Sequence, residues 1–163
     1  MKMNYNELKE MGIVEERTAE IAEVIAFVMR AERDLETSKL LHEKDEEWAF
    51  AAAYQAMARS ARALILSEGF RPKGVRGRDA QKTVVTAAGV ILGVQYKSLI
   101  NKFDRMRRKY QSFMEDPGRI ISRYEAGQAI KDAEEFIALV NGRIREKYSQ
   151  MSLLNDVPQL VSR

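Results

Sequence analysis

An all-α fold, an antiparallel up-and-down bundle of about five helices, is predicted by three observations. The stretch 46–68, EEWAFAAAYQAMARSARALILSE, is Ala-rich, free of Gly and Pro and poor in β-branched residues, which makes it a strong helix former. Apolar residues recur at helical spacing in four further segments. The β-branched run Val84, Val85 and Thr86 weakens one helix, but no strand partner for it is read elsewhere.

The stretch 46–68 is the centre of the expected bundle. Ala49, Ala52, Ala53, Ala56, Met57, Ser60, Ala61, Leu64 and Ile65 form one wide stripe, widened further by Trp48, Phe50 and Tyr54. Small side chains let neighbouring backbones approach closely, while Trp48, Met57 and Leu64 fill the gaps. Asp45 is the expected N-cap, with Glu46 and Glu47 in the positive first turn. Gly69 is the expected C′ residue.

Before it, residues 1–17 read as an arm with a short helix near 5–11, stopped by Gly12. Thr18 is expected to cap a long helix running to His42, with Ile21, Val24, Ile25, Val28, Leu35 and Leu41 on its apolar face. The short break at 42–45 makes this helix an antiparallel neighbour of the central one. After Gly69, FRPKGVRGRD reads as a basic loop punctuated by Pro72, Gly74 and Gly77. A helix follows over 79–94, capped by Asp79, with Val84, Val85, Ala88, Ile91 and Leu92 inward. Gly89 and Gly93 suggest close packing there. Residues 96–116 form an amphipathic helix with Leu99, Ile100, Phe103, Met106 and Tyr110 on its inner face, stopped by Pro117 and Gly118. Ser122 and Glu125 have capping-box spacing. They open a last helix with Ala126, Ala129, Ile130, Ala133, Phe136, Ile137, Val140 and Ile144 inward. Residues 18–148 thus make one bundle, and 149–163 a loose tail.

Composition narrows the chemistry. With no Cys there is no disulfide, thiol nucleophile or zinc ribbon. The one His, His42, lies near a helix C-terminus, where a partly positive imidazole is favourable. No carboxylate pair has convincing metal-ligand spacing, so neither a metal nor an organic cofactor is expected. Gly74 and Gly77 are not expected to make a phosphate loop, because the Gly-Lys-Ser/Thr ending is missing and no strand is expected before them. The net charge of +3 permits nucleic-acid binding without demanding it. The N-terminus lacks the apolar core of a signal peptide and no apolar run is long enough to span a bilayer, so a cytoplasmic protein with no membrane partner is expected.

Three stretches together carry a resemblance: residues 31–69, AERDLETSKLLHEKDEEWAFAAAYQAMARSARALILSEG; residues 103–117, FDRMRRKYQSFMEDP; and residues 122–140, SRYEAGQAIKDAEEFIALV. In order and spacing they resemble the HEPN domain, a small helical bundle often paired with a minimal nucleotidyltransferase in toxin–antitoxin or stress modules. The resemblance implies a homodimer, such a partner protein, and RNA or nucleotide contact. In its ribonuclease members an Arg and a His one turn or so apart cut RNA across a dimer interface: Arg stabilises phosphate charge and His moves the proton from the 2′-hydroxyl. That motif belongs in the helix holding DRMRRKYQSFMED, where one alignment sets Tyr110, Gln111 and Met114 in its place and other frames offer Arg105, Arg107 or Arg108. No frame supplies a His.

The expected function is therefore that of a HEPN-like protein acting by dimerisation and by binding a partner protein or RNA. The nucleic-acid contacts are expected from Arg71, Lys73, Arg76 and Arg78 in the loop and from Arg105, Arg107, Arg108 and Lys109 on the polar face of the following amphipathic helix. Two alternatives stand beside this reading. One is a metal-independent ribonuclease with an Arg-centred site, using Arg107 or Arg108 with Tyr110 assisting. The other is a purely structural bundle.

Overall fold

The computed structural model describes residues 5–73 and 78–150. Arg76, Gly74 and Gly77, the side chains of Arg78 and Asp79, and the tail from 151 on lie outside the described residues. The chain forms α1 (Tyr5–Glu10), β1 (Val14–Glu16), α2 (Ile21–Leu41), α3 (Glu46–Ser67), β2 (Phe70–Pro72), α4 (Arg78–Leu92), a 3-10 turn (Val94–Tyr96), α5 (Lys97–Glu115) and α6 (Arg123–Gln150).

The expected all-α bundle is present, with α3 at its centre. Its chief neighbours are α2 and α6, and α4 and α5 also pack against it. Of the predicted stripe only Ala52 stays partly exposed, and the burial extends right round the helix to Ala51, Ala63 and Leu66. Ala49, Ala53, Ala56, Ala61 and Ala63 are completely buried, so the small side chains sit where neighbouring helices come closest. Asp45 caps the helix as expected, its side chain accepting from the Trp48 N–H at 3.1 Å. Gly69 ends it at φ +86°, a conformation that L side chains rarely adopt.

Trp48 departs from expectation. It is 52% exposed and fills no gap beside α3; its ring instead meets Phe113 of α5 edge-on at 5.8 Å. It occupies the first turn of α3, and its ring partner lies near the end of α5. The start of α2 also differs. Thr18 does not cap it; the cap position is Glu20, with no side-chain cap. The chain stays extended after β1, where the Arg17 N–H donates to the Gly69 carbonyl at 2.9 Å, and the helix begins only at Ile21.

That extended segment belongs to a two-stranded antiparallel ribbon in which Val14 faces Pro72 and Glu16 faces Phe70. The first residues of the expected loop thus form a strand, and the expected arm is tied to it. Burial of Val14 and Phe70 holds the ribbon to the bundle.

Elsewhere the local signals hold. Ser122 and Glu125 form the capping box reciprocally: the Glu125 N–H donates to Ser122 Oγ at 3.1 Å and the Ser122 N–H to Glu125 Oε2 at 2.9 Å. Gly89 is a close-approach point, since a Cβ there would lie 3.3 Å from Ile100 Cγ2 on α5. At the far end of α4, Arg143 of α6 donates to the carbonyls of Ile91 and Leu92 at 3.3 Å each, satisfying groups that a helix end leaves without partners. α6 runs opposite to α2: Arg123 pairs with Glu43, Glu134 with Lys39 at 3.0 Å, and Asn141 donates to Glu32 at 2.7 Å.

Candidate functional site

The predicted cationic residues separate into different environments. Arg71 is exposed on β2 and pairs with Glu15 on the facing strand, and Lys73 is exposed just beyond it. Arg105 is exposed on α5 and lines a groove of about 330 Å³ between α5 and α6, with Phe50 and Ala129 on its floor. Lys102, Lys109, Tyr124 and Gln128 also line it, together with two carboxylates: Glu125, which pairs with Lys109, and Asp132, 3.7 Å from Lys102. Arg71 follows the end of α3 while Arg105 sits near Phe50 at its start, a separation of about 25 Å at 1.5 Å per residue. They do not form one patch.

Within α5 the four basic residues also diverge. Arg108 is exposed and loosely paired with Asp104 at 3.4 Å. Lys109 pairs with Glu125 of the capping box, which, with the Ser122 backbone, holds the Glu125 carboxyl below the usual range. Arg107, expected on the solvated face, is only 8% exposed. Its Nε donates to Asp104 Oδ1 at 2.8 Å and its Nη1 to Gln111 Oε1 at 3.3 Å. The reason is geometric: Arg107 lies four residues after Phe103 and three before Tyr110, on the edge of the inner stripe.

Tyr110 is likewise held in structure. Its ring stacks on Tyr54 with centroids 4.6 Å apart, and its hydroxyl accepts from Gln55 Nε2 at 3.0 Å. Tyr54 lies beneath, 1% exposed, and burial pushes its phenol well up from the ordinary value. Its hydroxyl donates to Gln81 Oε1 at 3.3 Å, and the same oxygen accepts from Gln111 Nε2 at 3.1 Å. Asp104, Arg107, Gln111, Gln81, Tyr54, Tyr110 and Gln55 therefore form a polar network joining α3, α4 and α5. Gln55 and Gln81 gave no functional signal in the sequence; Gln111 was met only as a motif position, and its helical register with Arg107, four residues apart, is what points to the network.

A cavity of about 280 Å³ opens beside this network, lined by Phe27, Tyr54, Gln55, Ala58, Arg59, Arg62 and Gln81. Arg59 is held by Asp34, Nε to Oδ2 at 2.9 Å, and Asp34 also takes Arg30 at 3.2 Å. His42 stands on the α2–α6 seam, where its Nε2 lies 3.1 Å from the Arg123 carbonyl oxygen. Among the described residues no group of three or more His, Cys, Asp or Glu is placed to hold a metal ion. No helix of the described residues is long and apolar enough to cross a membrane.

The fold and its polar centre define a helical bundle whose longest-buried helix carries the network and whose fourth and fifth helices close over it. A model of the HEPN domain matches residues 24–144, and the chain belongs to the HEPN-domain family. The matched region runs from α2 well into α6 and so contains both the network and the groove. No curated protein and no solved structure matches the chain.

Proposed function

We propose that this HEPN-family protein acts by binding rather than by cutting RNA: it dimerises and engages RNA or a partner protein in a toxin–antitoxin or stress-type module, with a minimal nucleotidyltransferase as the expected protein partner. The observation that carries the reading is the use made of Arg107 and Tyr110. A ribonuclease site needs a guanidinium free to meet phosphate and a group able to move the 2′-hydroxyl proton. Arg107 is buried, 8% exposed, and its charge is already met by Asp104 through Nε and Nη2, with Nη1 on Gln111. Tyr110 is stacked and hydrogen-bonded, and α5 contains no His.

The RNA contact falls to the α5–α6 groove. Arg105 and Arg108 are exposed there or beside it, and Tyr124 offers an exposed ring. Cations that meet phosphates beside an aromatic face that stacks a base suit a single strand or a loop. Dimerisation is supported by exposed apolar side chains at the same end of the bundle: Trp48, Met114 and Ile120.

A gel-shift experiment tests the binding. Structured RNA is mixed with the wild type and with Arg105→Ala/Arg108→Ala at low and moderate salt. A shift that salt weakens and the double variant loses supports RNA as the partner. No shift by the wild type rejects RNA and leaves a protein partner, to be sought by co-purification.

A further inference from the structure

The network beside the cavity has a direction, and an arginine sets it. A guanidinium can only donate. Arg107 Nη1 therefore turns the Gln111 oxygen toward itself, at 3.3 Å. The Gln111 amide nitrogen is left to donate onward, and it meets Gln81 Oε1 at 3.1 Å. The same Gln81 oxygen takes the Tyr54 hydroxyl at 3.3 Å. With its oxygen used twice, Gln81 keeps only its NH2 group for the cavity that it lines, and that group has no partner among the described residues.

The rest of the wall offers the same polarity. Arg62 lines the cavity and pairs with no carboxylate among the described residues. Arg59 has its Nε on Asp34, which leaves the terminal nitrogens of its fork. Against these two cations Asp34 is the one carboxylate engaged among the described residues, so the balance there is positive. Gln81 also lies in the first turn of α4, where the helix end adds positive potential. Gln55 is the exception: its NH2 goes to Tyr110, and its amide oxygen remains for a ligand hydroxyl. Phe27 supplies an apolar wall.

We propose that this cavity between α2, α3 and α4 binds a phosphate-class oxyanion, with Arg62 and the Gln81 NH2 as its principal donors. At about 280 Å³ it is at the small end for ligand pockets and suits a phosphate with a modest organic group against Phe27. The phosphate comes either from a free monoester or from a nucleic-acid backbone.

Calorimetric titration of the full chain separates these sources. The probes are inorganic phosphate, a nucleoside 5′-monophosphate, and a short RNA without terminal phosphate. The proteins are wild type, Arg62→Ala and Gln111→Glu, with melting temperature checked for each. Arg62→Ala is expected to weaken binding on the order of tenfold or more, the worth of a charge-assisted contact. Gln111→Glu does not touch the cavity. Its carboxylate accepts from Arg107 and from the Gln81 NH2 alike, so Gln81 turns its oxygen to the ligand and binding weakens as well. Gln81→Leu guards against a folding defect in Gln111→Glu. Phosphate or monoester binding that the variants weaken assigns a free ligand; binding of RNA alone, weakened in the same way, assigns the backbone. No binding of any probe at millimolar concentration, or unchanged binding in Arg62→Ala or in a folded Gln111→Glu, overturns the proposal. These variants share no residue with Arg105→Ala/Arg108→Ala, so this site and the α5–α6 groove fail separately.

Discussion

The rings of Tyr54 and Tyr110 stack with centroids 4.6 Å apart and planes 28° from parallel, so a residue placed where the family's motif belongs instead joins α5 to the central helix. Tyr110→Phe keeps that stack and loses only the hydrogen bond from Gln55. It is expected to cost about 1 kcal/mol. Tyr110→Ala removes the ring and is expected to cost about 3 kcal/mol. Urea unfolding of the two variants measures both. Equal losses would mean that the hydroxyl, not the ring, holds the helices together.

The central helix depends on small residues. Ala56 has no exposed surface. Ala56→Leu is expected to destabilise by about 1–3 kcal/mol through overpacking, although Leu is nearly as good a helix former as Ala. Denaturant unfolding reads the change, and a neutral result would show free space beside α3.

Legibility in the sequence followed the physics of each element. The centrality of α3, the Asp45 cap, the Gly69 stop and the Ser122–Glu125 box could all be read, because each is set within a few residues of chain. The β1–β2 ribbon could not. Its three-residue strands are too short for a period, and Val14 meets Pro72 across the whole of two helices. Arg107 looked like one of four solvated cations because charge outweighed register. Its spacing from Phe103 and Tyr110 was the better guide. The cavity was hidden for a different reason: Arg62, Gln81 and Phe27 lie on three helices, and no local pattern links them.

Glu125 makes one contribution to stability depend on pH. The hydrogen bond from Lys109, helped by the Ser122 backbone, lowers its pKa on folding. A lowered folded-state value means that the contribution is complete above the ordinary Glu range. It is lost as pH falls through that range and then through the folded value. Glu125→Gln is expected to be less stable than the wild type at neutral pH, with the difference shrinking in acid. Unfolding curves at several pH values between neutral and strongly acid check this. A difference constant with pH would show that Glu125 acts through shape alone.

Dimerisation is tested at the exposed apolar end of the bundle. Trp48→Ser/Ile120→Ser is expected to give a folded monomer where the wild type is a dimer, with a lower melting temperature because the Trp48–Phe113 contact and the dimer are both lost. Sedimentation velocity distinguishes the two, and a variant that stays dimeric moves the interface elsewhere.

The most direct test of the central claim is a cleavage assay. End-labelled structured RNA is incubated without added metal with the wild type and with Arg107→Lys, and the products are resolved on a denaturing gel. With Arg107 and Tyr110 committed to the network, both proteins should leave the RNA at full length. Fragments made by the wild type and missing with a folded Arg107→Lys variant would contradict the account and make Arg107 the centre of an active ribonuclease.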